Sequence, residues 1–214
     1  MTEILAELQK GGVLMVPLLL GSILALAIVI ERAFGLRSRK ILVPEIIIAI
    51  KKIRSDEDVR VAERICEANE GPFANIVLST LQNQDLPRDE LKDVILDQGR
   101  QEVRVLERGL VTLETIAAAS PLLGLMGTVI GMMKTFNVIS QQGIGQTSVL
   151  SGGISEALIT TVTGLAIGIP ALVAFNYFTN KAESLVLDIE KHSATLLQKF
   201  RHLAGSGEEE NRAV

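Results

Sequence analysis

Thr128, Thr161 and Glu156 are the residues best placed to do chemistry. The two threonines lie in long uncharged runs, residues 115–133 and 157–180, and Glu156 is the acid at the entrance of the second run. Hydroxyls donate and accept hydrogen bonds, so two of them on neighbouring helices can form a polar belt lining a proton path. If the first of these runs exits an apolar layer near Phe136 and the second enters near Gly153, both threonines lie eight residues inside. That is about 12 Å at 1.5 Å per helical residue. The ordinary alternative is that each hydroxyl bonds its own helix carbonyl at i−4, and on spacing alone the two readings weigh equally. Glu156 set against apolar walls can exchange protons near neutral pH, with Lys134 close enough in the sequence pattern to pair with it. Its ordinary reading is an interfacial acid in a helix first turn.

The same arms carry residues that shape helices. Gly127 and Gly131 are four apart, as are Gly124 and Thr128, and Thr160, Gly164 and Gly168 continue at that step. Small residues at this spacing let helix backbones approach closely in lipid, so plain packing is the favoured role of the glycines. Pro121 and Pro170 each free a backbone carbonyl and are candidate helix kinks.

These residues must be positioned by membrane helices. The 214 residues are 48% hydrophobic yet 21% charged, with a mean hydropathy of +0.36, so charge is segregated from the apolar runs. Residues 11–30 carry no charge. As a helix they span about 30 Å, enough for a bilayer core. Ala25-Leu-Ala27 lies inside this run and the leading segment is acidic, so residues 11–30 read as a first span and not as a cleaved signal. Arg32, Arg37, Arg39 and Lys40 follow it, whereas 137–153 contains no Lys or Arg. By the positive-inside rule the N-terminus faces outward and the C-terminus the cytoplasm, which is what three spans require.

The expected organisation is therefore a short N-terminus (1–10), span one (11–30), a helical cytoplasmic region (31–109) and span two (110–136). A periplasmic loop (137–153), span three (154–180), a cytoplasmic helix (181–204) and a disordered tail (205–214) follow. The fold class is all-α, an integral membrane protein with two spans extended into a cytoplasmic helical bundle. Pro44 opens one helix, Ser55-Asp-Glu-Asp58 caps the next, and Gly71-Pro72 and Asp85-Leu-Pro87 are breaks. One rod is expected from Arg88 to about Asn137, and a stripe of Leu185, Ile189, Leu196, Phe200 and Leu203 should follow the third span.

Other function classes find no support. A net charge of −4 and pI near 5.3 argue against nucleic-acid binding. His192 and His202 lack partners at metal-ligand spacing, Gly143-Ile-Gly145 is no P-loop, and Cys66 has no nucleophile setting. No enzyme activity, cofactor or metal is expected.

The two arms, with Glu31-Arg32 after the first span, resemble the MotA/TolQ/ExbB proton-channel family. The matching stretches are Ser120-Pro-Leu-Leu-Gly-Leu-Met-Gly-Thr-Val-Ile-Gly-Met132 with Phe136, and Ile154-Ser-Glu-Ala-Leu-Ile-Thr-Thr with Gly164-Leu and Ile169-Pro-Ala171. Length and three spans resemble the ExbB and TolQ branches more than the four-span flagellar stator branch. The resemblance implies a homopentamer in the bacterial inner membrane, around two helices of a smaller, ExbD-like single-span partner that brings a mid-membrane aspartate. It also implies that Thr128 and Thr161 are pore-lining threonines, that Glu156 is a pore-facing glutamate, and that force passes to a TonB-like protein or an envelope system. A non-conducting scaffold built on the long cytoplasmic helices is the competing reading.

Overall fold

The computed structural model describes residues 11–53, 55–142 and 147–212. Every regular element among them is a helix: α1 (Met15–Gly35), α2 (Ser38–Ile41), α3 (Pro44–Lys52), α4 (Asp56–Glu67), α5 (Pro72–Gln82), α6 (Arg88–Leu106), α7 (Leu110–Gln142) and α8 (Thr147–Arg212). Helices α1, α7 and α8 are long and apolar enough to cross a membrane. At most 33% of any of their apolar windows is buried, so most of that apolar surface points outward. Leu20, Ile23, Leu122, Val129, Met133, Leu158, Val162 and Val173 are all exposed. Lipid or neighbouring chains, and not water, are the solvent such faces require.

The chain forms two compact units. The first contains residues up to Glu31 and Gly109–Tyr177. Here α1 packs through Met15, Leu18, Ala25 and Ile28, α7 through Leu110, Leu113 and Ala117, and α8 through Ala157, Thr160 and Ala171. The approach of α1 to α7 is close enough that a Cβ on Gly21 would lie 3.7 Å from Ile116.

The second unit contains Arg32–Arg108 and residues from Phe178 onward. Local signals set its short helices. Pro44 and Pro72 occupy first turns, where a missing N–H is harmless. The Ser55 hydroxyl accepts from the Asp58 N–H while the Asp58 carboxylate accepts from the Ser55 N–H, a closed capping box. The core consists of Ile46, Ile50, Phe73, Ile76, Val77 and Leu81, with Leu185, Ile189 and Leu196 from the expected α8 stripe. Phe200 and Leu203 have no described side chains.

Several expected boundaries are corrected. The rod from Arg88 to Asn137 is two helices, because Gly109 adopts φ +78° between α6 and α7. That left-handed conformation ends a helix and favours glycine, which has no Cβ to be penalised there. The buried Arg32 side chain then donates to the Val105 and Leu106 carbonyls at 3.2 and 3.1 Å, supplying partners at the end of α6. The first membrane helix starts at Met15, not Gly11, and runs to Gly35, so Glu31 and Arg32 belong to its final turns. The loop expected over 137–153 is helical over 137–142 and 147–153, its ends being absorbed into α7 and α8. α8 also runs through Gly205-Ser-Gly207, where a stop was expected, to Arg212.

Candidate functional site: the α7–α8 hairpin

Small residues set the register of this antiparallel pair. A Cβ built on Gly124 would lie 3.1 Å from the Thr161 Cα, and one on Gly131 would lie 2.8 Å from both the Ala157 Cβ and the Gly153 carbonyl oxygen. On Gly164 it would meet the Ser120 carbonyl oxygen at 2.5 Å, and on Gly168 the Pro121 ring at 2.6 Å. All five glycines expected to pack (Gly124, Gly127, Gly131, Gly164, Gly168) thus lie where the opposite helix leaves no room for a side chain. Pro121 and Pro170 lie inside continuous helices, and the Pro121 ring fills the space that Gly168 vacates.

This register changes the threonine geometry. Gly124 faces Thr160 and Thr161, while Gly131 faces Gly153 and Ala157. Thr128 is therefore level with Ala157–Leu158, one turn from Thr161, an offset of about 5 Å at 1.5 Å per residue. The equal depth expected from the run boundaries does not hold within one chain, because steric contact of the glycines fixes the register. The hydroxyls also differ in partner. Thr128 donates to its own helix, to the Leu125 carbonyl at 2.6 Å, and is half-buried. Thr161 donates across the hairpin to the Gly124 carbonyl at 2.9 Å. Thr115, Ser120, Thr135 and Thr163 take the ordinary i−4 bond. Thr161 therefore ties one arm to the other, whereas the Thr128 hydroxyl bonds within α7.

Glu156 has the partner the sequence offered it. Lys134 Nζ lies 2.6 Å from Glu156 Oε1, joining the two arms at the mouth. The lysine side chain is 55% exposed and the glutamate 23%, so the carboxylate is the more enclosed partner. The segment ahead of α1 closes over it, since a Cβ on Gly12 would run into the Glu156 carboxylate. Thr160, one turn deeper on α8, is 1% exposed, and its hydroxyl is shared between the Gly11 and Glu156 carbonyls at 2.8 Å each. Spacing named Thr160 among several threonines but carried no sign that it is the enclosed one, because its partner is 149 residues away.

The hairpin thus presents a wall of small residues and hydroxyls with one carboxylate at the mouth. Neither arm has an acid within its uncharged run. A proton crossing such a wall needs a titratable carrier from elsewhere, since hydroxyls with pKa values far above neutral only relay or hold hydrogen bonds.

The second unit has a cavity of about 700 Å³ between α6 and the distal part of α8, lined by apolar side chains such as Ile95, Val103 and Ile189 together with Lys92, Arg100, Glu102, Arg104, Glu190 and Ser193. Glu102 is buried and its Oε1 accepts from Asn75 and Gln98 at 2.9 and 3.0 Å. Beside it in the same unit, His192 packs tilted on Phe73 at a ring separation of 5.7 Å. Cys66 is buried, and burial, followed by the charges of Glu63 and Glu67, pushes its thiol up to about 11. It is a packing residue and not a nucleophile.

Comparison with known proteins matches residues 68–191 to the model of the MotA/TolQ/ExbB proton channel family. An ExbB-like biopolymer transport protein (ExbB-like 3) of Synechocystis sp. is 29% identical over 211 residues, covering 96% of this chain and 99% of the relative. The biopolymer transport protein ExbB of Xanthomonas campestris is 36% identical over 145 residues, 60% of this chain and 57% of the relative. The Tol-Pal system protein TolQ of Pseudomonas aeruginosa is 38% identical over 86 residues, 40% of this chain and 37% of the relative.

Proposed function

Because the chain belongs to the MotA/TolQ/ExbB proton channel family, we propose that it is the wall subunit of an ExbB-type inner-membrane complex that uses the proton motive force to drive transport at the outer membrane. The observation that carries this reading is the hairpin. Its arms touch through glycines, Thr161 bridges them at 2.9 Å, Glu156 guards the mouth, and the uncharged runs of both arms lack an acid. A second chain must then supply the proton carrier. An ExbD-like single-span subunit with a membrane aspartate fits that need, and a homopentamer of this chain would surround it. A TonB-like protein would take up the force. The name of the Xanthomonas relative, a biopolymer transport protein, supports the transport role.

Sidedness follows from charge. The Arg and Lys residues after α1 belong in the cytoplasm, and the short connection between α7 and α8 in the periplasm. The second unit is then cytoplasmic. A TolQ-type role in the envelope is the second reading, favoured by the 38% identity to TolQ over the segment the two share.

The test is proton flux in liposomes holding this chain with and without its single-span partner. Flux requiring both chains supports the channel. No flux from the pair under an imposed pH gradient supports a scaffold instead. Thr161→Ala or Glu156→Ala should abolish flux while leaving the assembly intact by native mass spectrometry, and wild-type flux in both variants would overturn the site assignment.

A further inference from the structure

We propose that Thr160 and the Gly11–Gly12 turn are positioning residues for Glu156, seating its carboxylate beside Lys134 at the mouth of the hairpin. The functional consequence rests on the reading of Glu156 as part of the proton path; the seat itself rests on geometry alone.

Three segments meet at this carboxylate. Gly12 has φ +71°, a left-handed conformation that residues with a Cβ rarely adopt. A Cβ there would run into Glu156 Oε1 and would lie 3.0 Å from its Cδ and 3.5 Å from its Cγ. The carboxylate therefore rests against bare backbone. The neighbouring Gly11 carbonyl accepts from Thr160 at 2.8 Å, and Thr160 is 1% exposed and one turn along α8 from Glu156. The helix that bears the acid thus also anchors the turn on which the acid lies. Thr160 is itself held by α7, because its methyl occupies the space over Gly127, where a Cβ would lie 2.5 Å from Thr160 Cγ2. A β-branched side chain so confined keeps one rotamer, which aims the hydroxyl at the turn.

Lys134 cannot do this work by itself. Its side chain is 55% exposed. An ion pair made by a long, solvated lysine holds its partner weakly, because ordering the lysine offsets much of the attraction. The Gly12 backbone, tied to α8 by the bond from Thr160 to the Gly11 carbonyl, decides where the carboxylate stands, and the lysine follows it.

The experiment uses the full chain in lipid nanodiscs with carbon-13-labelled glutamate, Glu156 being assigned from the signal lost in Glu156→Gln. Gly12→Asn adds a Cβ under the carboxylate while tolerating the positive φ. Gly21→Ala in α1 is the control, since a Cβ there makes only an ordinary contact, 3.7 Å from Ile116. Thr160→Val deletes the hydroxyl at constant shape, and Thr160→Ser restores it. Gly12→Asn and Thr160→Val should each move the Glu156 carboxyl resonance out of its wild-type position. Gly21→Ala and Thr160→Ser should leave it where the wild type has it. A wild-type resonance in Gly12→Asn and Thr160→Val would overturn the proposal; if Gly12→Asn does not fold, Thr160→Val alone decides. Proton flux with the partner is measured on the same variants. A displaced carboxyl with unchanged flux upholds the seat and counts against Glu156 as part of the proton path.

Discussion

Gly164→Ala is the sharpest test of the hairpin geometry. The added Cβ would lie 2.5 Å from the Ser120 carbonyl oxygen, 3.0 Å from the Gly124 Cα and 3.1 Å from the Gly124 nitrogen. An ordinary carbon–oxygen contact is about 3.3 Å, so the shortfall is roughly 0.8 Å. All three neighbours are backbone atoms, so no side chain can rotate aside and the two helices must part. Overpacking of this kind costs about 1–3 kcal/mol. Parting also stretches the Thr161–Gly124 hydrogen bond from 2.9 Å. The same displacement would take it to about 3.7 Å, beyond hydrogen-bond range. Losing that bond adds about 1 kcal/mol. The sum, about 2–4 kcal/mol, should lower the melting temperature of a protein of this size by roughly 5–15 °C. Gly152→Ala in the same helix is the control, since a Cβ there meets nothing within 4 Å. It should be neutral or gain up to about 1 kcal/mol of helix propensity. Thermal melts of the purified chain in detergent, followed by far-ultraviolet circular dichroism, give both numbers. A Gly164→Ala melt that overlays the wild type, or a Gly152→Ala that is equally damaged, would refute the packing argument.

Three further outcomes follow from the second unit. Cys66, with its thiol pushed up to about 11 from 9.0, should be about a hundredfold less ionised than a free thiol at pH 8. It should therefore resist maleimide in the folded chain and react promptly in denaturant, and prompt labelling of folded protein would contradict the burial. Arg32→Ala removes the donor to the Val105 and Leu106 carbonyls, and should destabilise by about 1–3 kcal/mol in denaturant titration. Arg32→Lys should recover only part of that loss, because an ammonium lacks the guanidinium fork. Glu102→Leu strands the Asn75 and Gln98 amides that Glu102 now accepts from, at about 1–3 kcal/mol, whereas Glu102→Gln keeps an acceptor oxygen and should melt close to wild type.

What the sequence disclosed was local chemistry. Pro44, Ser55 with Asp58, Pro72 and the break before Arg88 each act through neighbours within a few residues, and the helices start where those residues place them. The apolar runs disclosed the three membrane helices, since length and lack of charge are properties of the run itself. Spacing singled out Gly124, Gly127, Gly131, Gly164 and Gly168, and a Cβ at each would meet the opposite helix. Gly109 was not, because a glycine between two helical patterns reads the same whether its φ is negative or +78°. The threonine depths failed for a related reason. Run boundaries locate a membrane surface, but the register is set by which glycine meets which backbone, a contact between residues some 40 positions apart. The hydrogen-bonding roles of Arg32 and Thr160 were not legible, because their partners lie 73 and 149 residues away. Thr160 and Thr161 are adjacent, and nothing in spacing says which one is enclosed.

The central claim is that the hairpin hydroxyl at Thr161 belongs to a proton-conducting wall. Dye-reported proton flux under a fixed pH gradient, in liposomes carrying this chain with its single-span partner, tests it most directly through a pair of substitutions. Thr161→Val keeps the shape but removes the donor to Gly124, and the account predicts at least a tenfold loss of flux per assembled complex. Thr161→Ser keeps the hydroxyl and should conduct near the wild-type rate. Equal flux in Thr161→Val and wild type, with assembly verified in both, would contradict the account.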